Sequence, residues 1–187
     1  MKVKEIVSLA LVFLDKEDLL DFKPFGEEEV IPELEGKEID HLLKCFNLVY
    51  NEVATAYLPL LKEEKVVFKN GVLPFDGLSK SLIEVKKLFS NGKNIKYKIF
   101  EDGIHANVKE AVITYSYLPD ELGFESDVFL FGGKLPYRVL AYGLCFEYSV
   151  LAGLFDDANL WEGRYKDGLK LACSKKSDIV IPARRWL

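Results

Sequence analysis

The sequence predicts an α+β protein in which a helical core carries an inserted antiparallel β-domain and an extended C-terminal arm. Apolar residues recur at helical spacing near both ends of the chain, whereas in its middle they alternate with polar residues. The middle also contains two Asn-Gly pairs between strand-like runs, the strongest short-range indication of β-hairpins. We therefore assign residues 1–64 and 119–172 to the helical core, 65–118 to the β-domain and 173–187 to the arm.

The first part of the helical core is predicted to contain two helices joined by a polar connector. The first helix covers residues 3–14, where the apolar stripe is Val3, Ile6, Val7, Ala10, Leu11 and Leu14. The second is expected from Glu38 to about Lys62, because its apolar residues keep helical spacing. Pro59 should kink or end this helix near Tyr57 or Leu58, since proline interrupts the helical hydrogen bonds.

The β-domain is predicted to hold four to six antiparallel strands. Its two Asn-Gly pairs lie in VVFKNGVLPF and in KLFSNGKNIKYKIF. Apolar and polar residues also alternate in EAVITYSYLP, where Ile113, Tyr115 and Tyr117 share one face. Because helical segments precede and follow this block, we interpret it as an insertion.

The C-terminal helix pair is the strongest indication of assembly. Between Pro136 and Ala152 only Arg138 and Glu147 are charged, and their spacing places them on opposite sides of the helix. Because this short helix is apolar on nearly every face, we expect neighbouring subunits to cover it. The last helix follows, with Asp156 as its N-cap and one apolar stripe. The residues expected at the subunit interface are Tyr137, Leu144, Tyr148, Trp161 and Tyr165.

The charge of the chain is unevenly distributed. Residues 1–40 contain twelve acidic and five basic residues, whereas residues 173–187 contain four basic residues and one acidic residue. Oppositely charged ends suit subunits or partners that meet head to tail, and they argue against nucleic-acid binding as the main function. The three cysteines are far apart and indicate a reducing compartment rather than disulfides. The apolar stretch 7–14 is too short to cross a bilayer, so we expect a cytosolic protein when it is made, without membrane contact.

No motif in the sequence favours catalysis. His41 and Cys45 stand at i and i+4 and could face one metal ion, but further ligands at metal spacing are missing. A buried cysteine beside a half-exposed histidine is the better interpretation. Neither histidine accompanies a nucleophile motif, and the turn FGGK lacks the spacing of a phosphate-binding loop. We expect no enzyme activity, no metal and no cofactor.

The arm, KKSDIVIPARRWL, combines basic and apolar residues. Arginines beside a tryptophan can bind nucleic acid or anchor a protein interface, and one short arm with four basic residues makes few phosphate contacts. Its apolar residues suit pockets or a sheet edge on a protein better, so we favour a protein partner. The residues expected to bind that partner are Ile179, Ile181, Arg184, Arg185 and Trp186.

The order of elements and the stretch GLFDDANLWEGRYKDGL, residues 153–169, carry a resemblance to a known family. The chain resembles the head–tail adaptor (connector) proteins of tailed bacteriophages, and within them the tail tubular adaptors that carry a β-domain. The resemblance implies a homo-oligomeric ring, commonly a dodecamer, beneath the portal. Such a ring continues the DNA channel toward the tail and binds the portal through its C-terminal segment.

The resemblance also implies partners and a location. These are the portal protein, a tail tube or nozzle protein, and DNA that passes through without sequence-specific binding. The protein would reside in the virion neck after assembly in the cytoplasm of the bacterial host. Three other classes remain open: a tail completion or terminator ring, a small enzyme with a helical core, and a non-viral bacterial scaffold.

Overall fold

The protein has the expected α+β architecture in the computed structural model, which describes residues 1–174. Four α-helices are present in this part of the chain: α1 (Val3–Phe13), α2 (Glu33–Glu52), α3 (Tyr137–Leu151) and α4 (Phe155–Cys173). Seven short strands lie between α2 and α3, and every strand pair is antiparallel. The α+β fold class is therefore confirmed.

The second helix begins earlier than the sequence predicted. It starts at Glu33 rather than Glu38, and its first turn closes with a 2.9 Å hydrogen bond from the Gly36 amide to the Pro32 carbonyl. Pro32 can accept this bond because proline lacks only the amide donor. The helix continues as a π-helical turn (Val53–Tyr57) and stops before Pro59, as the proline predicted, rather than at Lys62.

The larger sheet contains β1 (Leu61–Val67), β3 (Leu82–Ser90), β4 (Lys93–Asn94) and β7 (Glu110–Tyr117), in the order β1-β7-β3-β4. The first strand begins at Leu61, four residues before the predicted boundary at residue 65. In the central strand β7 the buried positions include Ala111, Ile113 and Tyr115, which confirms the alternation expected from EAVITYSYLP.

The smaller sheet contains β2 (Val72–Leu73), β5 (Lys98–Phe100) and β6 (Gly103–His105), in the order β2-β6-β5. The total of seven strands in the described residues exceeds the four to six predicted, because several strands are only two or three residues long.

The two Asn-Gly pairs have different outcomes. Asn91 and Gly92 join β3 to β4 with φ values of +50° and +73°, as a two-residue hairpin turn requires. Asn70 and Gly71 also have positive φ values but close only one isolated bridge, after which β2 pairs with β6. The first predicted hairpin is therefore wrong: its turn is present, but the two strands that flank the turn do not pair with each other.

The last helix starts one residue before its predicted cap. Leu154 occupies the N-cap position, so the assignment of Asp156 as N-cap is wrong. Asp156 instead lies in the first turn of α4, where a carboxylate interacts favourably with the helix dipole. The helix continues through Cys173, the first residue of the predicted arm. Residues 175–187 of that arm lie outside the described part of the chain.

The buried side chains form two separate clusters. One lies among the four helices and includes Leu11, Phe46 and Leu144, while the other lies between the sheets and includes Leu88 and Ile113. Tyr117, at the end of β7, packs against both clusters. The sheet is thus attached to the helical core where the chain enters and leaves the β-region.

Candidate functional site

Four of the five side chains predicted at a subunit interface are buried within this chain. Leu144 is 0% exposed, Tyr165 2%, Tyr148 7% and Trp161 8%, whereas Tyr137 is 45% exposed. The apolar faces of α3 are covered by residues of α1, α2 and α4. The premise that α3 needs neighbouring subunits to cover it is therefore wrong, because three helices of the same chain do so. Of the predicted set, only Tyr137 offers appreciable surface to a partner.

Two glycines allow the helices to cover α3 so closely. A Cβ atom added at Gly143 of α3 would lie 2.6 Å from Cγ1 of Val49 in α2 and 2.9 Å from Cε2 of Tyr165 in α4. A Cβ atom at Gly168 of α4 would lie 2.7 Å from Cγ2 of Val139 in α3. All three distances are shorter than carbon atoms tolerate, so close packing at these crossings requires glycine.

Tyr148 belongs to a small polar cluster at one edge of the helical core. Its hydroxyl donates a hydrogen bond to Glu38, and Nζ of Lys16 lies 2.6 Å from Oε1 of the same carboxylate. Burial acts to raise the pKa of Glu38, but the hydrogen bonds from Lys16 and Tyr148 hold that pKa below its ordinary value. The hydrogen bond to Glu38 in turn raises the pKa of Lys16. This cluster fixes the connector against α2 and α3.

A second polar cluster joins α2, α3 and α4. The Tyr165 hydroxyl donates a 2.9 Å hydrogen bond to Oε2 of Glu52, while burial and the nearby carboxylate raise the pKa of Tyr165. Burial, with a smaller contribution from the charge of Glu52, also raises the pKa of Glu147. The carboxylates of Glu52 and Glu147 thus share this end of the core, and the surroundings of Glu147 disfavour its charged form.

Trp161 closes the core between α1, α3 and α4 by stacking. Its ring centroid lies 5.6 Å from that of Phe13 and 5.8 Å from that of Tyr142. The guanidinium of Arg164 lies 4.9 Å from the Trp161 ring, within the range of a cation–π interaction. Trp161 and Tyr165, two of the three aromatic residues of GLFDDANLWEGRYKDGL, therefore stabilise the tertiary structure of the chain.

The turn between α3 and α4 exposes a continuous apolar surface, which we call the hairpin tip (residues 150–155). Val150 is 43% exposed, Leu151 59%, Leu154 46% and Phe155 67%, and the run contains no charged residue. Gly153 ends α3 with a φ of +73°, a conformation that favours glycine. Contiguous exposed apolar residues are typical of interaction sites.

The sequence contained an indication of this tip that we missed. The helix predicted to reach Ala152 and the cap predicted at Asp156 leave residues 153–155 as the turn of the pair, but the exposure of the apolar residues around that turn was not predicted. Gly153 in the run VLAGLF was a candidate C′ residue, which marks the end of a helix. Residues next to a helix end lie at the tip of a helical hairpin rather than between its two helices.

A cleft of about 670 Å³ lies where the sheet joins the helical core. Tyr50 and Phe131 belong to its helical wall, Tyr117 to its sheet wall, and the ion pair of Lys80 and Asp120 also borders it. The lining is mainly apolar, so the cleft marks an incompletely filled junction between the two clusters of buried side chains.

The residues weighed for metal binding do not converge. His41 is exposed while Cys45 is buried, and burial raises the pKa of the Cys45 thiol to about 11. His105, in β6, lies 2.8 Å from Asp102 instead. No group of three or more potential metal ligands occurs in the described part of the chain.

The residues predicted to bind a partner through the arm lie outside the described residues. These are Ile179, Ile181, Arg184, Arg185 and Trp186. The chain leaves α4 close to the end of α2, where Sγ of Cys173 lies 3.9 Å from the Tyr57 carbonyl oxygen.

Comparison with known proteins leaves the family of the chain open. The sequence matches no protein-family model, and no curated protein is significantly similar to it. Within residues 1–174, no helix combines the length and the apolar character that crossing a bilayer requires.

Proposed function

We propose that this protein is a structural subunit of a phage head–tail connector, a ring that joins the portal to the tail and continues the DNA channel. The observation that carries the proposal is the hairpin tip, where four large apolar side chains are about half exposed or more. A soluble chain that presents such a surface gains free energy by covering it with another protein surface. In the helix pair the tip brings four exposed large apolar side chains together in one run, whereas Tyr137, Leu160 and Leu171 are exposed singly.

The order of elements also supports the proposal. An amphipathic helix, a long helix, a β-insertion and a final helix pair follow one another here as in the adaptors that the sequence resembles. The tip residues Gly153, Leu154 and Phe155 begin the stretch on which that resemblance rests. On this basis we propose a ring, commonly of twelve subunits, bound to the portal on one side and to a tail tube or nozzle protein on the other.

The size of the hairpin tip limits the binding free energy that it can supply alone. Full burial of a large apolar side chain gains ~1.5–3 kcal/mol, so four half-exposed side chains offer ~3–6 kcal/mol. Since ~4 kcal/mol corresponds only to a millimolar dissociation constant, a stable ring needs at least one further contact between subunits.

The decisive experiment compares two leucine substitutions at equal exposure. Leu151, in the tip, and Leu48, on α2, are each 59% exposed. We expect Leu151→Asp to shift the protein toward the monomer while Leu48→Asp leaves assembly unchanged. The measurement is the mass by size exclusion with light scattering, alone and after mixing with the portal protein of the same viral genome. A wild-type chain that stays monomeric in both conditions, or a Leu151→Asp variant that assembles normally, contradicts the proposal.

The arm is proposed to bind the portal, through the apolar side chains of Ile179, Ile181 and Trp186 and the charges of the two arginines. Because α4 extends through Cys173, the test is a truncation after Ser174, which keeps the helix intact. We expect the truncated chain to fold and assemble as before but to lose portal binding. Unchanged portal binding would refute this role, and salt-sensitive binding of an isolated 175–187 peptide to DNA would favour a nucleic-acid role instead.

A further inference from the structure

A strongly basic surface follows the edges of both sheets. Residues 86–100, which we call the lysine edge, contain five lysines and no acidic residue. They include β4 at one edge of the larger sheet and β5 at one edge of the smaller sheet. The lysines are Lys86, Lys87, Lys93, Lys96 and Lys98, and all five are exposed. Among residues 1–174 only Lys86 of this set forms an ion pair, with Glu84.

The lysine edge also presents apolar side chains to solvent. Ile99 is 51% exposed and Phe100 is 50% exposed, next to the last lysine of the run. An exposed strand with unpaired backbone groups and apolar side chains invites a partner. The lysines limit that partner to one with negative charge.

The β3–β4 turn of the lysine edge lies far from the helical core along the larger sheet. Val67, at the end of β1, pairs with Glu110, and Phe89 pairs with Val112 close by, so the β3–β4 turn stands at the end opposite Leu61. Seven residues of β1 separate these two ends, a length of ~20 Å. The edge can therefore contact another molecule without displacing the helices.

The chain itself carries a matching surface. Residues 26–35, which we call the acidic segment, contain five glutamates and no basic residue. Glu27, Glu28 and Glu29 are exposed, and the apolar Val30 and Leu34 beside them are 84% and 77% exposed. This surface has the opposite charge and the same mixture of charged and apolar groups as the lysine edge.

The acidic segment is only partly neutralised by its own neighbours. Glu29 pairs with Lys23 at 2.7 Å and Glu33 pairs with Lys37 at 2.5 Å, both at the surface. No ion pair within the described chain joins the acidic segment to the lysine edge. Both surfaces therefore keep most of their charge in the single chain.

We propose that the lysine edge of one copy binds the acidic segment of the next copy. This inference rests on the proposed ring, because a ring needs a heterologous contact between two different surfaces of the same chain. The two surfaces have equal and opposite formal charge, five lysines against five glutamates, and each has large exposed apolar side chains. Their pairing supplies the second contact that the hairpin tip requires, and it sets the direction of the subunits.

A second copy fits these surfaces better than DNA does. Duplex DNA would use the lysines but would be repelled by the acidic segment and by the net charge of −5. A neighbouring copy uses both surfaces at once and covers the apolar side chains of each.

A charge swap in the full chain tests the pairing. Lys93→Glu/Lys96→Glu reverses the edge, and Glu27→Lys/Glu28→Lys reverses the segment at residues without a described ion pair. The control Lys62→Glu/Lys65→Glu makes the same change in net charge on β1, at the opposite edge of the larger sheet. Mass against protein concentration is measured by light scattering for each variant, at low and at raised salt.

We expect each reversal of the edge or segment to raise the dissociation constant of the oligomer about tenfold, and the control to leave it unchanged. The combined four-residue swap should restore assembly, whereas the control combined with the segment reversal should not. If neither reversal changes the dissociation constant of the oligomer, this inference is wrong while the proposed ring stands. A wild-type chain that never assembles overturns the ring itself. Duplex DNA binding that disappears in the edge variant without a change in assembly also overturns the pairing.

Discussion

Replacing Gly143 by alanine should lower the free energy of unfolding, whereas the same replacement at Gly163 should raise it. Both glycines lie inside helices, Gly143 in α3 and Gly163 in α4. A Cβ atom at Gly143 would lie 2.6 Å from Cγ1 of Val49, but one at Gly163 would meet no atom within 4 Å. The two substitutions are chemically identical and differ only in their surroundings.

The magnitudes follow from two opposing effects. Alanine in place of glycine stabilises a helix interior by about 1 kcal/mol, and this gain applies at both positions. Inserting a carbon atom into a filled core costs ~1–3 kcal/mol, and this cost applies only at Gly143. Val49 is 1% exposed and the Tyr165 ring is held by its 2.9 Å hydrogen bond to Glu52, so neither neighbour can easily move away.

We therefore expect Gly143→Ala to lose about 1 kcal/mol and Gly163→Ala to gain about 1 kcal/mol. Urea unfolding followed by circular dichroism measures both, and melting temperatures should differ by several degrees in the same direction. If the clash is the cause of the loss, Val49→Ala should cost less stability in the Gly143→Ala background than in the wild type, as a double-mutant cycle measures. Equal stabilisation by both alanines would refute the close crossing of α2, α3 and α4, and with it the conclusion that the chain covers α3 by itself.

The remaining predictions concern titration and thiol access. Because the pKa of Glu38 is lowered in the folded protein, its contribution to stability is present above the ordinary value of 4.5 and is lost as the pH falls through the folded pKa. Urea titrations should therefore find that Glu38→Gln is destabilised at neutral pH and loses less stability than the wild type on acidification. The pKa of Glu147 is raised, so its charge opposes folding above pH 4.5, and Glu147→Gln should raise the unfolding free energy at neutral pH. A thiol reagent should label only Cys173 in the native protein, because Cys45 and Cys145 are buried and their thiols have pKa values of about 11 and 12. In urea the same reagent should label all three cysteines. Labelling of Cys45 or Cys145 in the native protein would contradict the packing of the helices.

Local patterns predicted the elements better than they predicted the pairing between them. The stripe of α1 and the stop before Pro59 came from spacing and from proline chemistry, and both hold in the structure. The Asn91-Gly92 turn formed as expected, because its two residues accept positive φ values by themselves. Asn70-Gly71 accepts the same conformation, but the strand that follows it, β2, pairs with β6 instead of with β1, the strand before the turn. Strand pairing beyond a turn therefore depends on residues distant in sequence.

Local patterns also did not predict which apolar surface is available for assembly. From the sequence, Leu144 and Leu151 are equivalent apolar residues of one helix, which is expected to be covered by neighbouring subunits. In the structure Leu144 is fully buried and Leu151 is 59% exposed, because the first lies in the core among the helices and the second lies at the turn that ends α3. Sequence periodicity specifies which face of a helix is apolar, but it does not specify what lies opposite that face.

By itself the sequence determined the α+β class, the order of helices and strands, and the segregation of charge along the chain, since each depends on residue type and short-range spacing. Only the tertiary structure decided that α3 is covered by its own chain, that the hairpin tip is exposed, and that the β3–β4 turn of the lysine edge stands at the far end of the larger sheet. The physical reason is that burial and strand register arise from contacts between residues distant in sequence. Those contacts depend on how whole elements pack, and no short stretch of residues encodes them alone.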